Sequence, residues 1–252
     1  MYIDTHCHLS IEDYDDIDLV MKDNRDNGID KIIVSGCDKK SIKEAVELSK
    51  KYDDMYLTLG YHPSEASTIT DEDLLELENI INSNPKVVGI GEIGLDYHYG
   101  KDDIDLQKKL FRKQMEMAKK LSLPVVIHSR DATADTIEIL KEYPEVIGDI
   151  HCFSGSVEVS NIYVSMGYKL GIGGVVTFKN SNLFKVVEAV GLDNILFETD
   201  APYLTPEPYR GKKNSSKYIP YIAKSVSQIL NISLDEVSLK VLDNTISLFD
   251  LK

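Results

Sequence analysis

Histidine and carboxylate side chains stand at positions along this chain where they could bind divalent metal ions. The six histidines are His6, His8, His62, His98, His128 and His151. Two carboxylates follow apolar runs in a similar way, since Glu92 follows VVGIG and Asp200 follows ILFET. Borderline divalent metals take imidazole nitrogen and carboxylate oxygen together. The pattern therefore predicts a metalloenzyme.

The first two histidines are spaced for binding one ion together. Side chains alternate between the two faces of a strand, so His6 and His8 project to one side and Cys7 to the other. Both imidazoles can then reach the same metal. Taken alone, an H-x-H pair is equally compatible with hydrogen-bonded surface or core histidines, so its interpretation depends on the rest of the pattern.

Apolar runs of strand length, rich in β-branched residues, recur along the chain and predict buried parallel strands. The eight runs cover residues 2–8, 31–35, 55–60, 87–92, 124–128, 146–151, 168–173 and 195–200. Segments with helical spacing lie between them, for example 41–51, 71–82, 105–121 and 131–142. Strand and helix alternate, which is the pattern of α/β folds.

A chain of 252 residues with eight such units predicts a (β/α)8 TIM barrel. We expect a single domain over residues 1–252, with two further helices near 217–230 and 234–249 sealing one end. The alternative is an open doubly wound sheet. It is disfavoured because no G-x-G-x-x-G follows the first strand and because the candidate ligands come from many strands.

In a barrel, active sites are built at the carboxyl ends of the strands. The candidate ligands would converge there; they are His6, His8, Glu92, His128, His151 and Asp200. Packing alone does not explain this set, because a buried carboxylate without a partner costs several kcal/mol. Metal ligation would remove that cost.

Charge and composition exclude several classes of protein. The net charge of −14 disfavours broad nonspecific binding to duplex nucleic acid, although bound cations would make the local field suitable for a phosphate. Three cysteines without C-x-x-C spacing disfavour a disulfide framework. No basic segment followed by an apolar run opens the chain, and no run approaches the roughly 18 apolar residues of a membrane span. We therefore expect a soluble, cytoplasmic protein, with a monomer favoured.

Seven segments, in order and over nearly the whole chain, resemble the signatures of the TatD family of metal-dependent deoxyribonucleases. They are DTHCH (4–8), GYHP (60–63), GEIGLDY (91–97), PVVIHSR (124–130), HCFSG (151–155), ETDAPYL (198–204) and RGKKN (210–214). The resemblance implies a TIM-barrel hydrolase of the amidohydrolase superfamily with a two-metal site. It further implies phosphodiester cleavage, most simply as a 3′–5′ exonuclease on single-stranded DNA.

The resemblance also implies the division of ligands between two ions. One metal would be held by His6, His8, Glu92 and Asp200, and the second by Glu92, His128 and His151. Glu92 would bridge, because its two oxygens can bind two cations at the roughly 4 Å separation of two-metal catalysis. The metals would be Zn, Mn or Mg. Asp200 would orient the attacking water and take its proton, which makes Asp200 and Glu92 the candidate catalytic residues.

Candidate substrate contacts lie near the same strand ends. Phosphate capture calls for forked or cationic donors, for which Arg130, Arg210 and Lys212 are suited. The last two lie in PYLTPEPYRGKKNSS, residues 202–216, a long connection of the kind that is usually functional. His62 would contact a phosphate or orient a metal ligand, unless it is a structural histidine packed under the following proline. Neutral substrate contacts would come from Ser154, Tyr203 and Asn214. The alternative is that this connection is a solvated surface segment.

Two histidine and carboxylate positions have no direct role in this interpretation. His98 is predicted to be a nonligand residue at the rim of the site. Glu198 shares a face with Asp200 one layer deeper, so it needs a buried partner and is expected to support the ligands.

Two other functions remain open at this stage. A lactonase, phosphotriesterase or amidase-like hydrolase could use the same barrel and metals on a small molecule, although a neutral ester would not need the cations at 210–214. A noncatalytic metal-binding protein is disfavoured because none of the six ligands is missing.

Overall fold

In the computed structural model, residues 1–98, 100 and 103–251 are described, and eight strands alternate with helices along them. The strands are β1 (Tyr2–Cys7), β2 (Ile29–Gly36), β3 (Met55–Leu59), β4 (Val87–Asp96), β5 (Val125–Arg130), β6 (Gly148–Ile150), β7 (Lys169–Ile172) and β8 (Ile195–Phe197). Each coincides with one of the eight predicted runs. The prediction of eight strands in these positions is therefore confirmed.

Helices follow the strands in turn. They are α1 (Ile17–Asp26), α2 (Lys39–Lys51), α3 (Asp71–Ser83), α4 (Ile104–Leu121), α5 (Thr133–Lys141), α6 (Val157–Ser165), α7 (Leu183–Val190), α8 (Ile219–Leu230) and α9 (Leu234–Phe249). Of the two helices predicted beyond the eight units, α8 completes the eighth unit. Within the described residues only α9 is additional, and it packs against β8 and β1. None of the helices in this part of the chain has both the length and the apolar character to cross a bilayer.

All eight strands belong to one sheet whose strand order follows the chain order, from β1 to β8. The pairs with defined register are parallel, among them β1 with β2 and β4 with β5. A doubly wound sheet would instead reverse its order at a switch point. The sequential parallel order with intervening helices is that of a (β/α)8 TIM barrel, so the predicted fold class is confirmed.

The described residues group into two compact units. The first contains Met1–Val34 and the chain from Cys152 onward, and the second contains Ser35–His151. The first unit therefore holds β1, β7 and β8, and the second holds β3 to β6. The expectation of a single domain over 1–252 stays a prediction.

Side-chain caps fix the starts of α2 and α3, two of the helices in the second unit. The Asp38 carboxylate accepts hydrogen bonds from the backbone N–H groups of Lys40 and Ser41 at the start of α2. Thr70 and Asp73 form a reciprocal capping box at the start of α3. Such caps satisfy backbone donors that have no partner inside the helix. They explain why α2 begins two residues before the predicted 41–51.

Strand β4 runs four residues beyond its predicted end at Glu92, as far as Asp96. The extension passes through Gly94, whose φ is +142° and whose absent Cβ would lie 2.0 Å from the His128 carbonyl oxygen. Only glycine allows β4 and β5 to approach so closely. This close approach brings Asp96 opposite Arg130 and next to the His128 side chain.

Candidate metal centre

His6, His8 and Asp200 form a cluster in the first unit, which we call the first cluster. The two imidazole Nε2 atoms lie 3.2 Å apart. The Asp200 Oδ1 atom lies 3.5 Å from His8 Nε2 and 3.9 Å from His6 Nε2. His6 is fully buried, whereas His8 and Asp200 are partly accessible. Three donor atoms from the ends of two strands therefore face one another.

Backbone hydrogen bonds between the ends of β1 and β8 hold the first cluster together. The Asp200 N–H donates to the His6 carbonyl at 3.0 Å, and the His8 N–H donates to the Ala201 carbonyl at 2.7 Å. Asp200 has a φ of +53°, a conformation that aspartate tolerates better than most residues. The chain turns sharply there, which directs the carboxylate to the two histidines.

Asp4 lies one layer below the first cluster and was not among the predicted site residues. Its carboxylate is fully buried and accepts hydrogen bonds from the Thr199 backbone N–H at 3.0 Å and the Thr199 hydroxyl at 2.5 Å. Burial raises the pKa of Asp4 to about 7, although these hydrogen bonds oppose the shift. Asp4 thus links β1 to β8 beneath His6. The i, i+2 spacing of Asp4 and His6 is the sequence signal that could have identified it.

Glu198 has the buried partner that its position requires. The side chain is fully buried, and its Oε1 atom accepts a hydrogen bond from the Cys152 backbone N–H at 2.8 Å. A carboxylate with such a donor avoids part of the cost of burial. Within the first unit, Glu198 therefore fixes the start of the segment that follows β6.

Glu92 is the centre of a second cluster, which lies in the second unit with His62, His128 and His151. The Glu92 side chain is buried, and its Oε1 atom lies 2.7 Å from His128 Nδ1. The same oxygen lies 3.7 Å from His151 Nε2 and 3.9 Å from His62 Nε2. One carboxylate oxygen is therefore surrounded by three imidazole nitrogens.

His128 is held between two carboxylates. Its Nδ1 atom faces Glu92, and its Nε2 atom lies 3.1 Å from Asp96 Oδ2. Burial by itself lowers the pKa of His128, but the hydrogen bonds to Asp96 and Glu92 outweigh it and raise that pKa to about 9. For Asp96, burial by itself raises the pKa. The hydrogen bond from His128, together with the one from the His98 backbone N–H, outweighs this effect, so the pKa of Asp96 is lowered.

Asp96 is a second residue that the sequence interpretation missed. It lies in the quoted segment GEIGLDY, four residues after Glu92. With a period of two along an extended strand, residues 92, 94 and 96 share one face. That spacing was the available signal, but the prediction ended the strand at Glu92.

The donor atoms in both clusters fit a small divalent cation. Two nitrogens bound to one tetrahedral Zn²⁺ at about 2.0–2.1 Å lie about 3.3 Å apart, close to the 3.2 Å between His6 and His8. In the second cluster, ligand atoms of Glu92, His128 and His151 lie within 4.8 Å of one another. Nitrogen and carboxylate oxygen are the donors that such ions take. The predicted meeting of all six ligands in one site stays a prediction.

His62 lies beside Glu92 with its hydrogen bonds directed by the following turn. Its Nδ1 atom accepts a hydrogen bond from the Ser64 backbone N–H at 3.1 Å. In the neutral imidazole, Nε2 then carries the proton, because only one ring nitrogen can be the acceptor. That nitrogen is the one that faces Glu92. His62 is thereby a donor at the second cluster, as a phosphate contact would require.

Three of the predicted substrate contacts lie in the connection after β8 and are exposed. Tyr203 is exposed, and its ring centroid lies 6.5 Å from that of His8. Arg210 is exposed and lies over the Phe178 ring at 4.2 Å, and Lys212 lies over Tyr209 at 5.3 Å. Both predicted phosphate-binding cations of the 202–216 connection thus lie over aromatic rings.

Asn214 is placed differently from its prediction as a substrate contact. It is fully buried, and its side-chain amide donates to the Thr199 and Tyr203 carbonyls. Both N–H groups are thereby engaged by backbone oxygens. This geometry gives Asn214 a role in holding the connection after β8, and it offers the predicted substrate contact no available donor.

The other residues singled out in the sequence lie at the surface. Ser154 and Arg130 are exposed at the ends of their segments. His98 is exposed too, and its Nδ1 atom lies 3.2 Å from Asp131 Oδ2. Among the described residues His98 belongs to neither cluster, and its assignment as a nonligand residue stays a prediction.

Comparison with known proteins identifies a family. A family model described as TatD related DNase matches residues 3–250. The uncharacterized metal-dependent hydrolase YabD of Bacillus subtilis is 42% identical over 253 residues, covering 99% of both chains. Sequence similarity therefore extends over essentially the whole chain and over the whole of this relative.

Solved structures agree with the sequence comparison. The crystal structure of YjjV, a TatD homologue from Escherichia coli, matches with a TM-score of 0.91 at 30% identity, covering 100% of this chain and 98% of that one. A TatD family hydrolase from Entamoeba histolytica matches with a TM-score of 0.89 at 27% identity, with 98% and 97% covered. The TIM-barrel fold and the resemblance inferred from the seven segments are both confirmed.

Proposed function

The chain belongs to the family of TatD-related DNases and is a metal-dependent hydrolase, and on that premise we propose that it hydrolyses phosphodiester bonds in DNA. The preferred substrate in this proposal is a single strand, degraded from its 3′ end. The family description and the cations in the connection after β8 support a nucleic-acid substrate. The polarity and strand preference come from the sequence resemblance.

The observation that carries the proposal is the environment of Glu92. A buried carboxylate with imidazole nitrogens at 2.7, 3.7 and 3.9 Å from one oxygen brings together the donor types that borderline divalent cations take. Only the shortest of these distances is a hydrogen bond. The other two suit ligands grouped around a cation.

We assign the metal ligands as the sequence predicted. In the proposal His6, His8 and Asp200 hold one divalent ion, His128 and His151 hold another, and Glu92 is shared between them. Zn, Mn and Mg are the candidate ions. Ions at these ligands would supply Lewis acidity, which makes water more acidic and offsets phosphate charge. The shared role of Glu92 rests on the resemblance, and the donor distances within each cluster support the remaining assignments.

Asp200 is the proposed general base. Its carboxylate is partly accessible, and its backbone is tied to His6, so the side chain is fixed yet open to solvent. A base must lie within hydrogen-bond reach of the proton that it removes, and a water beside the first cluster meets that condition. Asp200 would take this proton as the water oxygen bonds to phosphorus and the P–O ester bond breaks, and the proton would then pass to the leaving alkoxide oxygen.

The side chains proposed to bind phosphate carry N–H or O–H groups that can donate to its oxygens. His62 offers Nε2–H at the second cluster. Arg210 and Lys212 offer cationic donors after β8. Tyr203, Ser154 and Arg130 complete the proposed set at accessible positions. Charged donors of this kind recognise phosphate oxygens strongly, which a neutral ester would not require.

A substrate panel tests the proposal. The metal-depleted protein is reconstituted separately with Zn²⁺, Mn²⁺ or Mg²⁺ and assayed on 3′-labelled and 5′-labelled single strands, duplex DNA, a lactone and paraoxon. We expect stepwise shortening of single strands from the 3′ end with at least one metal. Cleavage of the lactone or paraoxon alone would instead support the small-molecule alternative. No hydrolysis of any substrate would contradict both.

A further inference from the structure

A cavity of about 500 Å³ lies in the first unit, beside the connections that follow β7 and β8. Its walls are Val175, Phe178, Lys179, Asn180, Ser181, Glu207 and Arg210. The volume falls within the range of about 300–1,000 Å³ that small-ligand pockets occupy. Because β7 and β8 are parallel neighbours, their carboxyl ends lie on the same edge of the sheet. The cavity is therefore on the edge where the first cluster lies.

Backbone contacts between the two connections shape this cavity. The Glu207 backbone N–H donates to the Thr177 hydroxyl at 2.9 Å. A Cβ at Gly174 would lie 2.1 Å from the Leu204 carbonyl oxygen, so the two segments are in direct contact there. The two connections that carry Phe178 and Arg210 are therefore packed against each other.

The guanidinium group of Arg210 stacks on the aromatic ring of Phe178. Its guanidinium carbon lies 4.2 Å from the centroid of Phe178. Among the described residues, Arg210 makes no ion pair, whereas Arg112 makes a two-point contact with Glu142. A guanidinium over an aromatic face is stabilised by cation–π attraction and keeps its charge and its outer face available.

The other lining groups favour a nucleotide over a simple anion. Lys179 adds a second cation, exposed and without an ion pair in the described part of the chain. Glu207 would repel a bare phosphate, but its carboxylate can accept a hydrogen bond from a base N–H group, such as N3–H of thymine. Asn180 can both donate to and accept from a base edge. Phe178 and Arg210 provide a stacking surface of the kind that binds unpaired bases.

We propose that this cavity binds one nucleotide of a single-stranded chain, next to the nucleotide being cleaved. The base stacks on the Phe178–Arg210 pair and the adjoining phosphate faces Lys179. This inference rests on the proposed nuclease function and extends it, because it gives the enzyme a preference for polynucleotides over isolated phosphate esters.

The test uses the whole protein in chelator, so that binding is measured without cleavage. Fluorescence anisotropy gives the Kd for a labelled oligothymidylate and for an abasic oligomer of the same length and charge. Phe178→Leu and Arg210→Gln should each weaken oligothymidylate binding by about 10-fold, the scale of one base stack. For Phe178→Leu the effect should vanish on the abasic oligomer.

A matched pair elsewhere in the first unit provides the control. Lys185 lies over the exposed ring of Phe184 at 5.7 Å, outside the cavity. Phe184→Leu and Lys185→Gln should change either Kd by less than about 2-fold. Thermal melts establish that each variant is folded, and Arg210→Gln provides a second readout should Phe178→Leu unfold.

The possible results separate the two proposals. If the wild type shortens oligonucleotides but the Phe178 and Arg210 variants bind as it does, the subsite is wrong and the nuclease function stands. Equal losses on both oligomers in Phe178→Leu would mean that no base stacks on this ring, which also overturns the subsite. If the wild type neither binds nor cleaves oligonucleotides with any metal, the nuclease function fails and the subsite fails with it.

Discussion

At the scale of single residues, Asp200 combines two tasks that can be separated by substitution. It contributes a donor atom to the first cluster and is the proposed base. Asparagine keeps the shape and one oxygen donor but cannot accept a proton at neutral pH. The two tasks should therefore respond differently to the same change.

We expect Asp200→Asn to lower kcat on a single-stranded oligonucleotide by about 10²–10⁴-fold, the usual contribution of a general base, while part of the metal is retained. Metal content measured by mass spectrometry and single-turnover kinetics check this. Asp235→Asn, an exposed change at the start of α9, is the control. Near-normal turnover of Asp200→Asn would refute the assignment.

Asp96 acts through another residue, since it contacts His128 Nε2 while Nδ1 faces Glu92. Carboxylates that hold the second nitrogen of a ligating histidine fix the ring and its proton. Asp96→Asn should therefore weaken binding of Zn²⁺ by about 10–100-fold, measured by chelator competition, with activity partly restored at high metal.

Asp131→Asn provides the matched control for Asp96, because it removes a similar carboxylate–histidine contact at the exposed His98. Its metal affinity should equal that of the wild type. Equal affinity in Asp96→Asn and Asp131→Asn would mean that Asp96 has no role in positioning His128.

At the scale of elements, the pairing of β4 with β5 decides where Glu92, Asp96 and His128 lie. Gly94 permits the pairing, because a Cβ there would lie 2.0 Å from the His128 carbonyl oxygen. Strand β8 and strand β1 are joined in a comparable way through Asp4 and Thr199. Each cluster therefore depends on one close contact between neighbouring strands.

Gly94→Ala should destabilise the protein by more than about 3 kcal/mol, because a backbone clash is added to the strain of a positive φ. Gly100 has the same φ of +142°, but a Cβ there would meet no described residue within 4 Å, so Gly100→Ala isolates the cost of the positive φ. That variant should lose only about 1–2 kcal/mol. Urea unfolding measures both, and equal losses would show that the clash is relieved.

At the scale of the whole molecule, the stability of the metal-free protein should depend on pH through the protonation of His128. The pKa of His128 is raised to about 9 in the folded state, above the ordinary histidine value of 6.5. The folded state thus holds this proton more tightly than the unfolded chain does. The resulting stabilisation is fully present below about pH 6.5 and is lost as the pH rises through about 9.

In chelator, the free energy of unfolding should therefore fall between about pH 6 and about pH 10, with a contribution from His128 of about 3 kcal/mol. His128→Asn should flatten this part of the profile. Saturating Zn²⁺ should raise the Tm and reduce the loss at high pH, because the ion binds the deprotonated imidazole. An identical profile in wild type and His128→Asn would contradict the assignment.

Much of the fold was accessible from the sequence because its signals are local. Buried parallel strands appear in the sequence as short apolar runs, and polar caps such as Asp38 and Thr70 mark helix starts. The eight strands and the barrel topology could therefore be predicted. The ligand types were equally visible, since His6, His8, Glu92, His128, His151 and Asp200 stand at strand ends. The seven ordered segments sufficed to indicate the family.

Other features depended on contacts between residues far apart in the chain. Asp4 and Asp96 acquire their roles from Thr199 and His128, and no pattern of hydrophobicity records those partners. Asn214 reads as an exposed donor in a polar connection, yet the fold buries it against backbone carbonyls. The sequence by itself determined which chemical groups were available and which strands carried them. Only the tertiary structure decided which groups meet, because burial and hydrogen-bond distance are set by the packing of segments that are remote in sequence.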